Sequence, residues 1–150
     1  MISQPEQSLS SSEEEVVSEP ESWEYVTYAI DVGWYKENQR SLSAVLRSRI
    51  RLLGGETLER KLQKRKGQSI LDALGKQKAK NPGFIPPDLP LVEAVFRVFL
   101  TSGNVPLTPV EVRERLMEWW RETGPYKEVE PHILKRLMDH DRFYGFYRVP

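Results

Sequence analysis

Cysteine is absent from these 150 residues. That removes disulfide staples, thiolate nucleophiles and cysteine-based zinc sites together. Long apolar runs are lacking too: none approaches the ~18 residues of a membrane span, so no membrane contact is expected. Histidine occurs only as His132 and His140. Eight residues of helix place them about 80° apart around the axis, which makes them poor joint ligands. No metal site and no cofactor is expected. Phosphate-loop, HExxH and GxSxG patterns are missing as well. Gly54-Gly55 has no flanking strand and no following Lys-Ser, so it reads as a turn. An enzyme is not expected.

Basic residues are missing from residues 1–22, which hold six glutamates and little large apolar surface. Such a composition is unlike a secretory or transit signal. It also cannot bury enough surface to offset ordering entropy, so an acidic, disordered leader is expected there. The reading is of a soluble intracellular protein, with cytoplasm and nucleus or nucleoid left open.

The formal net charge of zero conceals a segregation of sign. Residues 36–80 carry thirteen Lys or Arg against four acidic residues, a net of +9, whereas 81–150 carry nine against ten. A polycationic middle thus follows a polyanionic start.

Residues 23–35, WEYVTYAIDVGWY, are aromatic and β-branched on both alternating faces. They read as a strand covered on two sides. A lone strand is unstable, so this one needs the C-terminal strand, a second copy of the chain, or a partner. Residues 41–53 read as an amphipathic helix through Leu42, Val45, Leu46, Ile50 and Leu53, with Arg47, Arg49 and Arg51 on other faces. The glycine pair stops it, and a second helix starting near Glu56 exposes Arg60, Lys61, Lys64, Arg65 and Lys66. A short apolar turn, SILDAL, and a basic tail to Lys80 follow. The proline-rich NPGFIPPDLP then reads as a stiff linker, with a boundary at 81–88.

Three helices and a short aromatic strand occupy 89–150. The first, 89–101, is apolar nearly all round, with only Glu93 and Arg97 as a narrow polar stripe, so it should be central. Val105-Pro106-Leu107 is extended enough for an edge strand. Thr108-Pro109-Val110-Glu111 has the form of a capping box with Pro at N1. The second helix follows, with Val112, Leu116, Trp119 and Trp120 on one stripe and Gly124-Pro125 closing it. Of the tryptophan pair, one is expected buried and one half-exposed. A third helix near 131–140 buries Ile133, Leu134, Leu137 and Met138, and RFYGFYRV at 142–149 reads as a strand or a hairpin about Gly145.

This order of elements resembles winged-helix domains, with VPLTPVEV leading into the second helix and KRLMDHDRF ending the third. The closest likeness is to the HARE-HTH type found in transcription and DNA-modification proteins. The resemblance covers about 60 residues through helix and cap signals. It implies that the third helix is the recognition helix and the terminal hairpin the wing. Two departures stand against direct DNA reading by this module. Glu128 and Glu130, rather than basic residues, precede the third helix, and the sequence given ends soon after the aromatic strand.

The fold class expected is therefore α+β, mostly helical. The functional expectation is a non-enzymatic nucleic-acid-associated protein. Arg47, Arg49, Arg51, Arg60, Lys61, Lys64, Arg65 and Lys66 would contact DNA or RNA phosphates, with Lys135 and Arg136 assisting from the third helix. The rival is a protein–protein adaptor or small subunit, self-associating or augmenting a partner's sheet through 23–35. Trp23, Tyr25, Trp34 and Trp119 would line that interface.

Overall fold

The computed structural model describes residues 23–77, 81–123 and 128–150. Its elements are β1 (Tyr28–Ile30), α1 (Val32–Glu37), α2 (Leu42–Leu62), α3 (Gln68–Gly75), α4 (Leu91–Thr101), α5 (Pro109–Thr123), α6 (Pro131–His140) and β2 (Phe146–Arg148). The architecture is α+β and mostly helical. The acidic leader, residues 78–80, the Gly124-Pro125 stop and Lys127 lie outside the described residues.

The apolar helix α4 occupies the centre, touching α3, α5, α6 and β1. Val95, Phe96, Val98, Phe99 and Leu100 are all buried on it, each contributing about 1.5–3 kcal/mol relative to exposure. Beside it, α5 begins with the expected capping box. Thr108 Oγ1 accepts from the Glu111 amide at 3.1 Å, and Glu111 Oε1 accepts from the Thr108 amide at 2.8 Å. Trp120 is buried and Trp119 half-buried, its ring 6.2 Å from Phe84.

The aromatic N-terminal segment forms a shorter strand than its composition implies. It ends at Ile30 because Asp31 caps a helix instead, its Oδ1 accepting from the amides of Gly33 at 3.0 Å and Trp34 at 3.3 Å. Its partners lie within the chain. β1 pairs antiparallel with β2 in the register Tyr28↔Arg148, Ala29↔Tyr147, Ile30↔Phe146. On its other edge Tyr28 exchanges both backbone hydrogen bonds with Leu107, at 2.8 and 3.0 Å. The side-chain amide of Asn104 extends that edge, accepting from the Ile30 amide at 2.7 Å and donating to the Ile30 carbonyl at 2.9 Å.

Two further expectations change. Residues 81–88 are not a free linker: Phe84 and Ile85 are buried in the same core as both flanking regions, and Arg97 Nη1 donates to the Phe84 carbonyl at 2.7 Å. The C-terminal aromatic segment is a strand and not a self-paired hairpin. The Asp141 carboxylate gathers the amides of Phe143, Tyr144, Gly145 and Phe146 into a turn, which delivers β2 to β1. Gly145 has φ +80° there, and a Cβ would stand 2.9 Å from the Trp34 ring.

Candidate nucleic-acid interface

The basic middle of the chain is built on a bent helix. Within α2, Gly55 adopts φ 77°, ψ −171°, a conformation open almost only to glycine. The two halves therefore change direction at the glycine pair that the sequence marks as a stop. In a straight helix, residues 51 and 59 would be about 12 Å apart along the axis. The bend instead brings Arg51 Nη2 to 2.7 Å from Glu59 Oε1, with Arg47 Nε 3.7 Å from Oε2. Arg60 meets Glu56 at 3.5 Å. These three arginines remain largely exposed, so their pairs are loosely held and salt-screened.

Arg49 is placed differently and is withdrawn from the exposed basic patch. Its guanidinium grips Glu93 in a fork, Nε to Oε2 at 3.0 Å and Nη2 to Oε1 at 2.8 Å, while Nη1 donates to the Val45 carbonyl. Arg97 Nε adds a bond to Oε2 at 2.8 Å, and the Tyr144 hydroxyl donates to Oε1 at 2.6 Å. All four acceptor positions of the carboxylate are used. Burial opposes ionisation of Glu93, but hydrogen bonds from Arg49, Tyr144 and Arg97 outweigh it and bring its pKa down to about 2. The Tyr144 hydroxyl is pushed up to about 12 by burial and by its bond to Glu93. What reads in sequence as a polar stripe on α4 is an internal ionic junction between α2, α4 and the C-terminal turn.

Lys61, Lys64, Lys66 and Lys76 are exposed and have no carboxylate partner among the described residues, while Arg65 reaches only the Ser69 hydroxyl, at 3.2 Å. All five lie between the last turn of α2 and the residue that follows α3. The structure thus gathers the unpaired charge into the second half of the predicted patch, with Lys76 as an addition. Its position directly after the SILDAL helix is the signal that would have found it.

On α6, Lys135 is committed to Asp139 at 3.0 Å, whereas Arg136 is exposed with no ion pair among the described residues. Asp139 also receives both guanidinium bonds of Arg148, at 2.9 and 2.8 Å, and the Tyr28 hydroxyl at 2.7 Å. Burial works against that carboxylate's charge, yet Arg148, Tyr28 and Lys135 hold its pKa well below the usual range. The candidate recognition helix is in this way tied to the sheet. His132 and His140 are exposed, and among the described residues no group of three or more His, Cys, Asp or Glu could hold a metal ion.

The four aromatic interface candidates scatter. Tyr25 is 79% exposed and Trp23 half-buried. Trp34 lies on α1, edge-on to Tyr35, beneath the Arg40 guanidinium, which also covers Phe143 at 4.2 Å. Trp119 packs against the core. Among the described residues, no helix is long and apolar enough to cross a membrane. No family model, no curated protein and no solved structure matches this chain.

Proposed function

We propose that this is a non-enzymatic, intracellular nucleic-acid-associated protein that grips the phosphate backbone of DNA or RNA. The observation that carries this reading is the set of unpaired cations Lys61, Lys64, Arg65, Lys66 and Lys76 on one continuous, core-anchored stretch. A cation without an internal carboxylate keeps its full charge for phosphates and releases condensed counterions on contact. Arg47, Arg51 and Arg60 are a reserve, because their exposed pairs open at little cost. The C-terminal helices act as a winged-helix-like docking module, Arg136 adding one contact.

Fluorescence anisotropy of labelled single- and double-stranded DNA and RNA across a salt series tests this. The full chain should bind at low salt with a steep salt dependence. Changing Lys61, Lys64, Arg65 and Lys66 together to Gln should lower the slope by up to about 3.6, at roughly 0.9 for each phosphate no longer neutralised. An unchanged slope, or no binding at low salt, would overturn the reading.

A protein-docking role has one observation in its favour. Between α4 and α6 lies an open groove of about 550 Å³ over Val92, Ile133 and Leu137, rimmed by Arg136 and His140. The β1 edge gives that role no support, since Tyr28 and Ile30 are bonded on both sides within the chain.

A further inference from the structure

We infer that the groove between the second half of α2 and α3 is a seat for a single phosphate group, with Lys61, Arg65 and Lys76 as its ligands. This deepens the nucleic-acid reading and rests on it for the source of the phosphate. Two concavities flank Arg65, and they differ in how their charge is met. The larger, about 340 Å³, contains Arg47, Arg51 and Arg60, each already facing Glu56 or Glu59. The smaller, about 200 Å³, draws Lys61, Arg65 and Lys76 together over Leu58, Leu62 and Ala73. Its one carboxylate, Asp72, accepts from the Gln68 side-chain amide at 2.8 Å, and no lysine or arginine pairs with it among the described residues. Three cations therefore line one groove with a single carboxylate, and none of them is ion-paired with it among the described residues.

Size decides the ligand class. Pockets that enclose whole small molecules run to ~300–1,000 Å³, so this groove holds a group and leaves the rest of its carrier outside. Its floor is apolar, with Leu58 and Leu62 buried, and a low-dielectric floor strengthens the pull of the rim charges on an anion. Arg65 supplies a planar fork suited to two phosphate oxygens, while Lys61 and Lys76 act as point charges on either side. A phosphate within a nucleic-acid strand and a free phosphate present the same oxygens to this seat.

The test uses the full chain and three variants. Lys61→Gln with Lys76→Gln empties the groove of two charges. Lys64→Gln with Lys66→Gln removes the same charge outside it. Arg65→Lys keeps the charge and loses the fork. Affinities for labelled DNA and RNA oligonucleotides are measured at low salt, and inorganic phosphate is titrated while amide NMR shifts are followed. A seat predicts about a tenfold loss for the groove pair against about threefold for the outer pair, a measurable loss for Arg65→Lys, and phosphate-induced shifts centred on residues 61, 65 and 76. Equal losses for the two pairs with Arg65→Lys unchanged would overturn the seat and leave the nucleic-acid reading standing. If no oligonucleotide binds the unmodified chain, that reading fails, and the phosphate titration alone decides: localised shifts support the seat, and their absence ends it. Circular dichroism of each variant confirms that the comparison is between folded proteins.

Discussion

Replacing Glu93 with glutamine keeps the side chain's volume and removes the one negative charge that Arg49 and Arg97 share. The carboxylate accepts four hydrogen bonds, three of them from guanidinium groups. A glutamine offers a single oxygen, and its amide nitrogen would point a donor at donors. Arg49, Glu93 and Arg97 have side chains only 10–19% exposed, so water repairs little of the loss. Removing one partner of a buried pair costs about 3–5 kcal/mol. An independent route gives a similar figure. A carboxylate whose pKa falls from an ordinary value of about 4.3 to the folded value of about 2 contributes about 3 kcal/mol to folding. The folded value is depressed, so this stability is present above the unfolded pKa and is lost as pH falls through about 2. Glu93→Gln should thus lower the unfolding free energy by about 3–5 kcal/mol, or Tm by roughly 10–20 °C. It should also flatten the dependence of stability on pH between about 2 and 5. Urea unfolding followed by tryptophan fluorescence, repeated across that range, reads both effects. A double-mutant cycle with Arg49→Met should return a coupling above about 1.5 kcal/mol. A loss under about 1 kcal/mol with the pH dependence intact would refute the junction.

Two other substitutions test how the sheet and α3 are held. Asn104→Ala removes the amide that pairs with Ile30 at a residue with φ 60°, and should cost about 2–4 kcal/mol, with faster hydrogen exchange at the Ile30 amide; unaltered exchange there would show that the side chain is dispensable. Gly75→Ala would set a Cβ 2.6 Å from the Gly103 Cα, backbone against backbone, and should cost about 1–3 kcal/mol with local opening of α3 in hydrogen exchange before global unfolding.

Features that depend on residues near one another in the chain are legible in the sequence. The capping box at Thr108 and Glu111, the turn at Gly54-Gly55 and the unequal burial of Trp119 and Trp120 each follow from spacing within one helix or its end. The strand at 23–35 reads too long because aromatic and β-branched content speaks for extension, while the Asp31 cap that ends it is a single residue. Asp directly before VGWY is the signal that marks the stop. The Pro-rich segment misleads in the other direction. Its prolines suggest a spacer, yet Phe84 and Ile85 among them are core residues. The pairing of β1 with β2, more than a hundred residues away, is legible only as one of three candidate partnerships, because a strand's own residues show that it needs a partner and not which one.

Charge is legible as a total and illegible as a surface. Arg49 stands three residues after Leu46 and four before Leu53, both buried, so helical spacing alone places it on the inward stripe. A charge there demands a buried counter-charge, and Glu93, on a helix whose only other charge is Arg97, is a residue with the same need. Neither fact alone identifies the pair; together they do. The remaining sorting comes from Gly55. Its bend turns Arg47 and Arg51 toward Glu59, and the last turn of α2 and the segment leading to α3 present Lys61, Lys64, Arg65 and Lys66 without a carboxylate ion pair among the described residues. The formal +9 of residues 36–80 therefore overstates the first half of that segment and describes the second half well. Straightening the bend would release Glu59 and redistribute the field, which makes a glycine, and not a lysine, the residue that decides where this chain is positive.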